Sequence, residues 1–119
     1  MKRCEKVAQE IKKEVSKIIH DELKDPRLGF VTITRVELTD DLRFAKIFFS
    51  VLGEDEVRKK TSEALASALG FVRRLVSERI KLRFSPDMVF KEDRSSEYSM
   101  HIEEIINELK GRKNDEKGG

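Results

Sequence analysis

EDEVRKKTSEALASALGFVRRLVSE, residues 54–78, is the stretch on which the fold turns. Val57, Thr61, Ala64, Leu65, Ala68, Val72, Leu75 and Val76 recur at spacings of three and four, the pattern of one buried helical stripe. Glu54, Asp55 and Glu56 put negative charge in the first turn, where the helix dipole favours it. Gly70 interrupts the pattern. A glycine inside a helix costs on the order of 1 kcal/mol relative to alanine, so it predicts a kink dividing two helices, or a point where another backbone comes close. With Arg73 and Arg74 directly after it, the small-residue break Ala68-Leu69-Gly70 is a seat for a phosphate backbone. The alternative is a glycine accommodated where two helices pack.

Upstream, Cys4, Val7, Ala8, Ile11, Val15, Ile18 and Ile19 trace one face of a helix from Cys4 to Leu23, which Asp25-Pro26 ends because proline lacks a donor and holds Asp25 extended. Asp25-Pro26-Arg27-Leu28-Gly29 then reads as a turn. Val31 and Ile33 share one parity and Val36 and Leu38 the other, so the next strand needs a bulge near Thr34. After Thr39-Asp40-Asp41, a second strand alternates Ala45, Ile47, Phe49 and Val51 against Lys46, Phe48 and Ser50, and the two should pair as an antiparallel hairpin. Gly53 stops it. Beyond Glu78, Ile80, Leu82 and Phe84 alternate with Arg79, Lys81 and Arg83, which predicts an extended segment. Met88 to Glu92 make a short third strand. Ser95 or Ser96 caps a last helix bearing Tyr98, Ile102, Ile105, Ile106 and Leu109, ended by Gly111.

The expected fold class is α+β: a three-stranded sheet covered on one face by helices, in the order α-β-β-α-kink-α-β-α. One domain spans 1–110, and 111–119 is a polar tail with nothing to bury. The length of 119 residues suits a continuous core without metal or disulfide, and the sole cysteine, Cys4, fits a reducing cytosol. No apolar run approaches a membrane span, so the expected location is cytoplasmic with no membrane partner. Charged residues make up 40% of the chain but the net charge is only +2, so binding to a polyanion must come from local clusters.

Catalysis finds little footing in these residues. His20, His101 and Cys4 have no zinc-ligand spacing, and Asp40-Asp41 reads as turn chemistry rather than a metal or acid pair. Phosphate-binding glycine loops, dinucleotide fingerprints and nucleophile motifs are absent, and no cofactor is expected. The basic residues are better arranged. At about 100° per residue, Lys6, Lys13 and Lys17, with His20 and Lys24, line the helix face opposite the apolar stripe, either as a binding face or as a solvated one. Arg73, Arg74, Arg79, Lys81 and Arg83 form a denser set, and arginine binds phosphate bidentately; Arg79 can instead lie over the core from its helix end. The seven Phe and one Tyr fall mostly at positions expected to be buried, which argues against recognition by base stacking.

The order of elements with a small-residue break between helices resembles a K-homology (KH) domain of type II topology, with Ala68-Leu69-Gly70 where that domain has Gly-x-x-Gly. Several motifs in sequence extend the likeness: Asp25-Pro26-Arg27-Leu28-Gly29, Val31-Thr32-Ile33-Thr34, Asp41-Leu42-Arg43-Phe44-Ala45-Lys46, Gly70-Phe71-Val72-Arg73 and Arg79-Ile80-Lys81-Leu82-Arg83. Together they make the chain similar to the bacterial ribosome-binding factor A family from about Val7 to Leu109. The resemblance implies a non-catalytic assembly factor that binds the immature small ribosomal subunit and its rRNA near the 3′ end and decoding region; separately, a monomer is expected. It also implies a GTPase release partner. An RNA contact by Ala68, Leu69, Gly70 and the basic residues above would be led by phosphates and shape, since the Ala68 methyl narrows the approach a glycine would leave open. From another functional class, a protein-interaction module using the break and the open sheet face is the competing reading.

Overall fold

The computed structural model describes residues 1–93. Its elements are α1 (Arg3–Asp21), β1 (Phe30–Leu38), β2 (Phe44–Leu52), α2 (Asp55–Arg79) and β3 (Asp87–Glu92). Both helices pack on one face of a sheet ordered β1-β2-β3, giving an α+β domain. The expected last helix and the tail 111–119 lie outside the described residues.

The α1 stripe is buried residue for residue as its periodicity demands: Cys4, Val7, Ala8, Ile11, Val15, Ile18 and Ile19. Ile11, Val15 and Ile18 have no solvent exposure, and full burial of such a side chain contributes roughly 1.5–3 kcal/mol. The Asp25 turn then forms by local hydrogen bonding. The Arg27 backbone N–H donates to Asp25 Oδ1 at 2.9 Å, and the Arg27 guanidinium donates to both carboxylate oxygens. These bonds hold the Asp25 carboxyl below the usual carboxylate range, with the guanidinium the larger influence.

β1 and β2 are antiparallel, with a register shift between Ile33 and Arg35. Thr34 is thus the extra residue that carries the inward face from Val31 and Ile33 to Val36 and Leu38. Its hydroxyl donates to Asp93 Oδ2 at 2.8 Å. β2 buries Ala45, Ile47, Phe49 and Val51 on one side. It is the central strand, because β3 pairs with it in parallel through the α2 crossover.

Thr61 does more than fill the α2 stripe. It is fully buried, accepts the Gly29 N–H at 3.0 Å and donates to the Arg27 carbonyl at 3.3 Å, so one hydroxyl fastens α2 to the Asp25–Gly29 turn. At Gly29 a Cβ would stand 2.8 Å from Val57 Cγ1, which explains why no side chain is present at that crossing. Thr61→Val, which keeps the shape and deletes the hydroxyl, should lower unfolding free energy by about 1–3 kcal/mol by leaving those groups unpaired, while Thr61→Ser retains most of it. Urea denaturation of the two variants checks this.

The expected division of α2 does not occur. The helix runs without interruption from Asp55 to Arg79, and a Cβ at Gly70 would meet nothing within 4 Å. A single glycine costs only about 1 kcal/mol, whereas Leu65 on one side and Val72 and Val76 on the other are fully buried and hold the helix to the sheet. Gly70→Ala should accordingly stabilise the protein by up to about 1 kcal/mol. Chemical denaturation would show the midpoint rising; a fall would mean that the position needs glycine.

The segment after α2 also departs from the sequence expectation. Ile80 is extended and buried, but the Leu82 N–H donates to the Ile80 carbonyl at 2.6 Å, closing a tight turn instead of starting a strand. Ile80 therefore faces the core, Leu82 is half-buried and Phe84 is turned out.

Candidate nucleic-acid interface

The expected cations lie on the C-terminal half of α2 and on residues 80–86, and the start of β2 meets the latter segment at Phe84 and Asp87. The helix and the two neighbouring strand ends give the five expected cations unequal roles. Arg73 is a strut: its Nε donates to the Pro86 carbonyl at 2.9 Å, its Nη2 to the Ser85 carbonyl at 3.2 Å, and it pairs with Asp87 at 3.1 Å. Arg79 is an inter-helix tie, pairing with Glu14 at 3.5 Å and with Glu22 more closely. Glu22 foremost, then Glu14, raises the already high pKa of that guanidinium. Arg79 thus binds α2 to α1, which explains its position at the helix end without a ligand.

Arg74, Lys81 and Arg83 remain exposed. The Arg74 guanidinium carbon lies 5.5 Å from the Phe71 ring centroid, and that of Arg83 lies 5.4 Å from Phe84. Such cation–π placement restricts a long side chain without neutralising it. Ala68 and Leu69 are partly buried against the core, whereas Gly70 is exposed. The surface at Gly70 is consequently open, although no break in the helix creates the opening. Lys6, Lys13 and Lys17 are exposed on α1. α1 meets the arginine set through Glu14 and Glu22 rather than through these lysines, so the two basic sets are separate features.

Arg43 adjoins residues 80–86 and was not singled out by the sequence. The β1–β2 turn places it: Asp41 Oδ1 accepts from the Arg43 N–H at 3.1 Å and from the Thr39 hydroxyl at 2.6 Å, while Leu42 takes a left-handed conformation at φ 62. The Thr39 hydroxyl first, then the Arg43 N–H, keeps the Asp41 carboxyl below the usual range, which is turn chemistry. Asp40 is engaged elsewhere, accepting from the Cys4 thiol at 3.3 Å. Arg43 then stands with its guanidinium carbon 5.6 Å from the Phe84 centroid. Only the spatial meeting of this turn with residues 80–86 reveals it.

The expected burial of the phenylalanines needs correction. Phe30, Phe44 and Phe84 are 79%, 56% and 59% exposed, and Phe71 is also exposed. Phe84 turns outward because 80–84 is not a strand, and Phe44 takes the outward parity at the start of β2. Aromatic contact with bases is therefore sterically open on this face.

Among the described residues, no group of three or more His, Cys, Asp or Glu is placed to hold a metal, and no helix is long and apolar enough to cross a membrane.

Comparison with known proteins bears on the family and the fold. The family model for ribosome-binding factor A matches residues 3–106. A ribosome-binding factor A from Clostridium novyi is 48% identical over 112 residues, covering 93% of each chain. The solution NMR structure of a Thermotoga maritima protein, provisionally named a ribosome-binding factor A, superposes with a TM-score of 0.67 at 40% identity, over 74% of this chain and 84% of that one. A Thermus thermophilus ribosome-binding factor A homology model, fitted into a cryo-EM map of its complex with the 30S subunit, gives 0.61 at 25% identity, over 74% and 92% of the two chains. Sequence across nearly the whole chain and the same backbone arrangement agree, and the chain belongs to the ribosome-binding factor A family.

Proposed function

We propose that this protein is a non-catalytic assembly factor that binds the immature small ribosomal subunit and supports maturation of its rRNA near the 3′ end and decoding region. The observation that carries the reading is the exposed cationic end of α2. Arg74, Lys81 and Arg83 are exposed on a frame that Arg73 and Arg79 tie down, and Arg43 shares the Phe84 ring with Arg83. Family membership and the Thermus thermophilus relative fitted into a 30S complex support the choice of partner. Gly70 leaves the outer surface of α2 open, with Ala68 and Leu69 partly buried against the core next to it, and Lys6, Lys13 and Lys17 offer a second, weaker basic face.

A rigid surface of this kind acts by preference among RNA conformations. If it fits one local fold of the rRNA better than its alternatives, binding shifts the population toward that fold without any covalent step. The protein then favours the precursor over the mature particle, works as a cytoplasmic monomer and leaves when its preferred conformation is lost, with a GTPase as the release partner that the family suggests. A protein partner is the second reading, favoured by one feature: Phe30 and Leu52, which face each other across β1 and β2, are both exposed.

Cross-linking to purified mature and precursor small subunits separates the readings. The assembly-factor reading requires adducts between rRNA and the Arg74–Arg83 face, with higher yield on the precursor. Adducts confined to a ribosomal protein at Phe30 and Leu52 would favour the interaction module.

A further inference from the structure

We infer that Phe84, with Arg43 and Arg83 beside its ring, is a stacking platform for an unpaired RNA base. The inference rests on the small-subunit reading above and adds base contact to a surface otherwise described by phosphate contact.

Phe84 is 59% exposed, and nothing in the core calls for its ring. Its backbone is nevertheless held firmly. Pro86 is fully buried, Arg73 donates to the Ser85 and Pro86 carbonyls, the Ser77 and Ser85 hydroxyls bond to each other, and the Asp87 N–H donates to the Arg43 carbonyl at 2.8 Å. The last bond locks residues 80–86 to the start of β2. An exposed ring on a pinned segment pays little ordering cost on binding.

Two guanidinium groups, at 5.6 and 5.4 Å from the same centroid, flank this ring. Among the described residues neither forms an ion pair; Asp41 feels the charge of Arg43 without pairing with its guanidinium. Two like charges beside one ring repel, and a phosphate would relieve that repulsion. Bases stack on aromatic rings and on guanidinium planes, and the adjoining phosphate supplies the negative charge. A nucleotide satisfies both demands. Phe44, exposed beside Arg43 in sequence, offers a second ring at the same strand start. A protein partner would need a broader apolar pocket around its anchor, and the ring's immediate neighbours here are cationic.

The test uses the full chain and purified small subunits. With the photoreactive residue p-benzoylphenylalanine at position 84, irradiation should yield an rRNA adduct; an adduct only with ribosomal protein would overturn the inference. Phe84→Leu keeps apolar bulk but lacks a π-face, and should weaken subunit binding about 10-fold, since stacking contributes about 1–3 kcal/mol per base. Phe84→Tyr should restore wild-type affinity, and neither variant should alter the thermal midpoint. Wild-type affinity in a folded Phe84→Leu protein would overturn the platform while leaving the phosphate-led reading intact. Failure of the unmodified protein to bind small subunits at all would bring down both.

Discussion

Replacing Arg74, Lys81 and Arg83 together by glutamate is expected to weaken small-subunit binding by about 100-fold or more, while the thermal midpoint stays near that of the unmodified protein. The three side chains are exposed, and surface substitutions away from buried partners usually change stability by less than about 0.5 kcal/mol. Against a polyanion the effect is of a different order. Loss of three phosphate contacts at even about 1 kcal/mol each already gives that factor, and the introduced carboxylates add repulsion. Co-sedimentation and thermal melts on the same preparation check both halves. Undiminished co-sedimentation would transfer the interface to Lys6, Lys13 and Lys17.

Arg73→Glu should behave in the opposite manner for stability. Arg73 spans the Ser85 and Pro86 carbonyls and Asp87, so the substitution removes both donors and sets a carboxylate beside another one. The expected loss is about 1–3 kcal/mol of unfolding free energy, from carbonyls left without a donor and from the new like-charge contact. Subunit binding falls too, because residues 80–86 no longer hold Arg83 and Phe84 in place. Arg73→Lys should recover only part of the stability, since an ammonium lacks the planar fork that reaches two acceptors. Denaturation midpoints of Arg73→Glu and Arg83→Glu, compared side by side, distinguish a strut from an exposed cation: the first must drop and the second must not.

Faces governed by one period are legible in the chain, whereas contacts between distant segments are not. The α1 stripe was legible to the residue because a single period governs Cys4 through Ile19, and every position obeys it. The bulge at Thr34 was legible because a parity change along one strand has few physical solutions. Gly70 misled, since local propensity suggested a break while the burial of Leu65, Val72 and Val76 supplies more energy than one glycine costs. The arginine set was recognised as a group but not by role. The partners that occupy Arg79, Glu14 on α1 and Glu22 at its C-terminal cap, lie 65 and 57 positions away in the chain. Arg43 and Phe84 were separated in the same way, and only the parallel pairing of β3 with β2 brings them side by side.

The central claim is that Arg74, Lys81 and Arg83 themselves meet rRNA phosphates. It is tested most directly by the salt dependence of small-subunit affinity, measured in parallel for the unmodified protein and for a variant with all three replaced by glutamine. Each phosphate neutralised releases condensed counterions and adds about 0.7–0.9 to the slope of log affinity against log salt concentration. The account predicts a steep decline for the unmodified protein and a slope shallower by about 2–3 for the glutamine variant. Equal slopes for the two proteins would contradict it.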